Sequence, residues 1–188
     1  MFRGRARRPR PFSFVIPPHD PEKMIREFHE KEQERKEMLC SEIFTWLSIG
    51  QLVVACDKDF LKKNGFTAIV NVTTSDNKFP DSFEYFQVPI KDVWGENIQD
   101  YFEEAANFIE EQKKKGGKVL VHCQAGISRS PTIVIAYMML KQGMTYNEAY
   151  EYVRSKRKYI DPNIEFDAHL RTLDKELKTL KEELNTLH

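Results

Sequence analysis

No stretch of this chain approaches the roughly 18 consecutive apolar residues of a membrane-spanning helix. The N-terminus also lacks the apolar core of a secretory signal, and opens instead on Arg3, Arg5, Arg7, Arg8 and Arg10. Cysteine is scarce: the three present, Cys40, Cys56 and Cys123, are scattered and odd in number. That argues against a disulfide framework and for a reducing setting, cytoplasmic or nuclear. Net charge is missing as well, at +0 over 188 residues, so the chain does not read as a dedicated nucleic-acid binder. The neutrality is uneven, because the first ten residues carry five arginines and no acid, which leaves the remainder at −5. No internal repeat is found, and no metal or cofactor is expected.

What is present suits one compact domain with extensions, since hydrophobic residues make up 40% of the chain. Residues 1–21, rich in Arg and Pro without periodicity, read as a flexible basic tail. Residues 22–40 are dense in alternating charge, with Glu22/Arg26, Glu27/Lys31 and Glu32/Lys36 spaced for a solvated helix that carries few apolar anchors, such as Ile25 and Phe28. From Ile43 onward, short apolar runs at 43–49, 67–72, 83–90 and 118–122 predict strands. Between and after them, helices are expected at 57–64, 97–115, 131–142 and 145–156. A long terminal helix is predicted to open at Asp161 and Pro162, which read as an N-cap followed by proline in the first turn. Strands alternating with helices give an α/β class: a three-layer domain with a central, mixed but mostly parallel sheet of about five strands flanked by helices.

The most informative stretch runs from Val119 to Pro131 and reads VLVHCQAGISRSP. An apolar strand leads directly into Cys123, a short loop follows, and Pro131 marks the first turn of the next helix. That helix points its N-terminus, with free N–H groups and a positive dipole end, back at the loop, which makes an anion site. Gly126 lets the backbone fold inward so that successive amides converge. A thiol in that cradle is expected to ionise well below the free value of about 8.5. The amides of Gln124, Ala125, Gly126, Ile127 and Ser128, with the planar fork of Arg129, can hold phosphate oxygens. A nucleophile aimed at phosphorus inside a phosphate cradle is a phosphoryl-transfer site. A lone cysteine at a strand end would ordinarily read as core; the spacing from Cys123 to Arg129 and Pro131 reverses that reading.

The same residues, His122 through Ser130, resemble the active-site loop of dual-specificity protein phosphatases, and most closely that of the MAP-kinase phosphatases. The resemblance covers residues 41–173 and includes the strand before the loop and the run Ile160, Pro162, Asn163. It implies a mixed sheet flanked by helices and a cysteinyl-phosphate intermediate. Catalysis of that kind needs a proton for the leaving oxygen, and the family takes it from an aspartate about thirty residues before the cysteine; Asp92 fits that place. Ser130 is implied to hydrogen-bond the thiolate and help it leave. His122 and Asn71 are expected to brace the loop. Trp94 either packs over the substrate or anchors the acid's loop.

Relatives with lysines inside the loop act on phosphoinositides, and this loop has none. The segment that deepens the pocket of tyrosine-specific domains is absent too, which implies a shallower site for phosphotyrosine and phosphoserine/threonine of protein substrates. A non-catalytic phosphoprotein-binding scaffold on the same fold is the competing reading. In the tail, Arg7, Arg8 and Arg10 followed by Phe12 and Phe14 resemble a MAP-kinase docking motif, and equally a nuclear-targeting segment. Leu170, Leu173, Leu177, Leu180, Leu184 and Leu187 repeat in alternating steps of three and four. Over 174–188 that stripe reads as a helical extension able to pair with a second copy of the chain.

Overall fold

The computed structural model describes residues 20–186, the side chains of residues 32–38 aside. It falls into a first unit ending at Gln33 and a second that begins at Glu34. Helix α1 (Pro21–Leu39) is started by Asp20, whose carboxylate accepts from the N–H of Glu22 at 3.1 Å and of Lys23 at 3.2 Å. Its apolar side chains Ile25 and Phe28 are exposed.

The second unit holds a five-stranded sheet of β1 (Cys40–Phe44), β2 (Leu47–Gln51), β3 (Ala68–Asn71), β4 (Glu84–Gln87) and β5 (Val119–Cys123). Their order across the sheet is β1-β2-β5-β3-β4, with β1 antiparallel and every other pair parallel. One apolar run at 43–49 was expected to form one strand; the chain instead reverses at Thr45 and Trp46 and makes two. The run looks continuous because its apolar residues pass straight from Ile43 and Phe44 into buried β2, and Trp46 folds back to stack on Phe44, ring centres 5.4 Å apart. The expected strand at 83–90 shortens to Glu84–Gln87.

Strand alternation sends Ala68, Val70, Val119 and Val121 to one face and Ile69 and Leu120 to the other. The first face is covered by α4 (Phe102–Lys114), α5 (Arg129–Gln142), α6 (Tyr146–Lys156) and α7 (Ile164–Thr186). The second is covered by α2 (Leu52–Ala55) and α3 (Lys58–Lys63), whose Val54, Ala55 and Leu61 pack on Ile69 and Leu120. The three-layer α/β domain with a mixed, mostly parallel sheet is thus the observed architecture. Helix α5 is buried nearly all round, from Ser130 to Met139, as befits a helix enclosed by neighbours. Among the described residues no helix is long and apolar enough to cross a membrane.

Three helix starts differ from expectation. The helix expected over 97–115 begins as a tighter turn, Ile98–Tyr101, before α4 proper. Helix α5 starts two residues ahead of Pro131, which still lies in the first turn, where its missing N–H costs nothing. The terminal helix opens at Ile164 rather than at Asp161, whose N–H donates to the Ile127 carbonyl at 2.8 Å. Asn163 caps it instead, its side-chain oxygen accepting from the Phe166 N–H at 3.0 Å.

Candidate active site

In open parallel sheets, ligands gather at the carboxyl ends of the strands. Here β5 is the central strand, flanked by β2 and β3, and Cys123 is its last residue. Residues 124–128 connect it directly to α5, so the loop is gripped by a strand at one end and a helix N-terminus at the other. Cys123 is 2% exposed, and its sulfur accepts from the Gly126 N–H at 3.2 Å and the Ser130 hydroxyl at 3.3 Å.

Every carbonyl of the connecting loop is turned away from that sulfur and occupied. The Gln124 oxygen accepts from Leu52 N, and the Ile127 oxygen from Asp161 N. The Ala125 and Gly126 oxygens are taken by the guanidinium of Arg157, and the Ser128 oxygen by both the N–H and the hydroxyl of Thr132. In a planar trans peptide the carbonyl and the next N–H point in opposite directions. Turning these oxygens out therefore turns the following N–H groups in. Apart from Gly126, none of the loop amides from Gln124 to Ser128 has an acceptor among the described residues. The result is a concave ring of donors above a buried sulfur.

Arg129 completes it. Its Nη1 donates to the Ile90 carbonyl at 3.1 Å, which fixes the plane of the fork. Its Nε is buried without a hydrogen-bond acceptor and lies 3.7 Å from a carboxylate oxygen of Asp92. A buried donor left in this state fits an oxyanion brought to the cradle.

Asp92 arrives from the chain after β4. Its Oδ1 accepts from the Ser128 hydroxyl and from the Asn163 amide, both at 2.8 Å. The Asn163 N–H in turn donates to the Ser128 oxygen at 3.1 Å. A further tie, from the Gly95 N–H to Glu165 at 2.8 Å, holds the rest of the Asp92 segment against the start of α7. Trp94, between these ties, is 77% exposed, so it does not anchor the segment by burial.

The expected braces divide. His122 is 2% exposed with Nδ1 3.5 Å from the Cys123 carbonyl oxygen, and burial lowers its pKa to about 4, so it is neutral at physiological pH. Asn71 pairs with His122 through the strands, but its side chain does not reach the loop. It donates to Ser75 O, Asn77 Oδ1 and Gln87 Oε1, and accepts from Thr73, ordering the turn after β3. Reading the sequence missed three contributors: the hydroxyl of Ser128, Asn163 as the residue holding Asp92, and Arg157. Ser128 and Asn163 lie in the quoted motifs but only folding brings them together. Arg157 sits in a basic run with Arg154, Lys156 and Lys158 that reads as a solvated face, yet it is 3% exposed.

Comparison with known proteins places the chain in one family. A family profile described as "Dual specificity phosphatase, catalytic domain" matches residues 48–176. Dual specificity protein phosphatase 1-A of Xenopus laevis is 40% identical over 136 residues, covering 72% of this chain and 37% of that protein. Dual specificity protein phosphatase 1 of Arabidopsis thaliana is 43% identical, covering 69% of this chain and 66% of that protein. The chain thus matches well under half the length of the first and about two thirds of the second. Among solved structures, human tyrosine phosphatase-like serine/threonine/tyrosine-interacting protein superposes with a TM-score of 0.67 at 35% identity, covering 73% of this chain and 97% of that one.

Proposed function

The chain belongs to the dual specificity phosphatase family, and on that premise we propose that it removes phosphate from phosphotyrosine and phosphoserine or phosphothreonine in proteins, through a cysteinyl-phosphate at Cys123. The observation that carries this reading is the ring of loop amides that, Gly126 aside, have no acceptor among the described residues, together with the buried Arg129 Nε, which has no hydrogen-bond acceptor and lies 3.7 Å from Asp92, on the loop that begins at Cys123. Three non-bridging phosphate oxygens would take those donors, which places phosphorus in line with the sulfur.

The Cys123 thiolate attacks phosphorus, an S–P bond forms, and the P–O bond to the substrate side chain breaks. The departing oxygen takes a proton from Asp92. Because Oδ1 already accepts two hydrogen bonds, Oδ2 is the oxygen left to carry that proton, and it is the one that faces Arg129. In the second half Asp92, now a carboxylate, removes a proton from water; the water oxygen attacks phosphorus and the S–P bond breaks. The Ser130 hydroxyl, already donating to the sulfur, stabilises the thiolate as it leaves. Asp92→Asn is expected to slow hydrolysis of phosphopeptides by two or more orders of magnitude, on the order of a lost general acid. The same variant loses much less on an aryl phosphate with a strongly acidic leaving phenol. Equal losses on both substrates would contradict the role of Asp92.

Among proteins, MAP kinases are the proposed substrates, supported by the likeness of the active-site loop and by the docking pattern at Arg7, Arg8, Arg10, Phe12 and Phe14. That tail lies outside the described residues. Deleting residues 1–14 should weaken binding to such a kinase, and unchanged binding would remove the proposal.

A further inference from the structure

Two of the turned-out carbonyls depend on one side chain. Arg157 follows the last residue of α6, where the backbone leaves the helix for extended geometry at φ −138, ψ 93. Its Nε donates to the Gly126 oxygen at 2.6 Å and its Nη2 to the Ala125 oxygen at 3.2 Å. Its Nη1 donates to the Ser41 hydroxyl on β1 at 3.0 Å, which ties the guanidinium to the sheet. Burial lowers the pKa of this guanidinium, and the Cys40 and Cys123 sulfurs act against that fall. An arginine remains charged under such pressure, so a fixed cation stands behind the loop.

Gly126 shows how closely this packing is made. It sits at φ +68, and a Cβ there would lie 2.6 Å from Arg157 Nη2 and 2.9 Å from the Gly50 oxygen. The guanidinium therefore meets the back of the loop edge-on, with no room between it and Gly126 for a side chain. By the antiparallel sense of C=O and N–H in each peptide plane, holding the Ala125 oxygen aims the Gly126 N–H, and holding the Gly126 oxygen aims the Ile127 N–H.

We propose that Arg157 is a positioning residue for the phosphate: gripping the Ala125 and Gly126 carbonyls from behind, it aims the Ile127 amide at the phosphate oxygens and the Gly126 amide at the Cys123 sulfur that attacks phosphorus. The proposal rests on the reading of the loop as a phosphate site. It assigns no contact between Arg157 and substrate; the arginine acts through the backbone. Lysine cannot reproduce it, since an ammonium offers a point charge without the fork that meets two carbonyls side by side.

The test uses the full chain with Arg157→Met and Arg157→Lys. It reads the inhibition constants of inorganic phosphate and orthovanadate against an aryl phosphate, together with KM, kcat and the melting temperature without anion. Arg157→Met should weaken both anions by about tenfold or more, the scale of misaligning donors to a charged group. KM should rise with them, and Arg157→Lys should recover only part of the loss. A folded Arg157→Met chain that binds vanadate as tightly as the parent overturns the proposal, as does full rescue by lysine. Collapse of the melting temperature in both variants also overturns it, because the arginine would then serve folding and not the phosphate. If the parent chain itself neither binds vanadate nor turns over, the phosphatase reading fails, and the role of Arg157 with it.

Discussion

His122 lies on β5 one residue before the nucleophile, 2% exposed and held neutral by a pKa lowered through burial to about 4. Between that value and the ordinary 6.5, the unfolded chain holds the proton and the folded chain does not, so stability falls as pH falls through this window. The full loss is about 3 kcal/mol, and it is complete once pH drops below the folded value. Replacing His122 with Asn should flatten the melting temperature between about pH 4 and 6.5 relative to the parent. A parent curve already flat there would contradict the burial argument. At this scale the sequence was most legible where chemistry depends on spacing along the chain: Cys123, Gly126, Arg129 and Ser130 lie on one local loop. It was least legible where a side chain acts across the fold. Nothing in the basic run around Arg157 distinguishes the one cation that turns inward, and Asn71 carries no local mark that its amide serves the turn at Thr73, Ser75 and Asn77.

The segment from Ile160 to Glu165 is the element that closes the site. Asp161 holds the Ile127 carbonyl, Asn163 holds both Asp92 and Ser128, and Glu165 holds the Gly95 N–H. That use of its backbone and side chains explains why α7 opens after Asn163 and not at Asp161 and Pro162, where helix-start chemistry alone would put it. Asn163→Ala frees Oδ1 of Asp92 from one of its two donors and removes the cap of α7. The expected outcome is a fall in kcat on phosphopeptides of about tenfold, from loss of orientation, with about 1 kcal/mol lost in stability. An aryl phosphate with a good leaving group should show a smaller fall. A uniform loss on both substrates would mean that the residue serves the fold alone. The strands and helices themselves were legible from apolar periodicity, except where one buried run conceals a reversal, as at Thr45 and Trp46. There the first arm ends on Ile43 and Phe44 and the second is buried from Leu47 to Gly50, so the apolar run passes through the reversal unbroken.

Across the whole molecule, the sheet places one strand end at the centre and the helices enclose it, while α7 continues outward. Its apolar stripe packs on the core through Leu170, Leu173 and Leu177; Leu180 and Leu184 are then 54% and 61% exposed. A stripe that keeps its heptad spacing into solvent supports the proposed pairing with a second copy of this chain. Light scattering should report a dimer that Leu180→Lys with Leu184→Lys converts to monomer without loss of activity on an aryl phosphate. A monomeric parent would contradict the pairing. The central claim is the covalent step at Cys123, and trapping the phosphoenzyme tests it most directly. Peptide-resolved detection of phosphate after acid quench of a reaction with a labelled phosphotyrosine or phosphothreonine protein should find it on Cys123. The label should increase in Ser130→Ala and be absent in Cys123→Ser. Steady release of phosphate by Cys123→Ser at the parent's rate, or label confined to another residue, would contradict it.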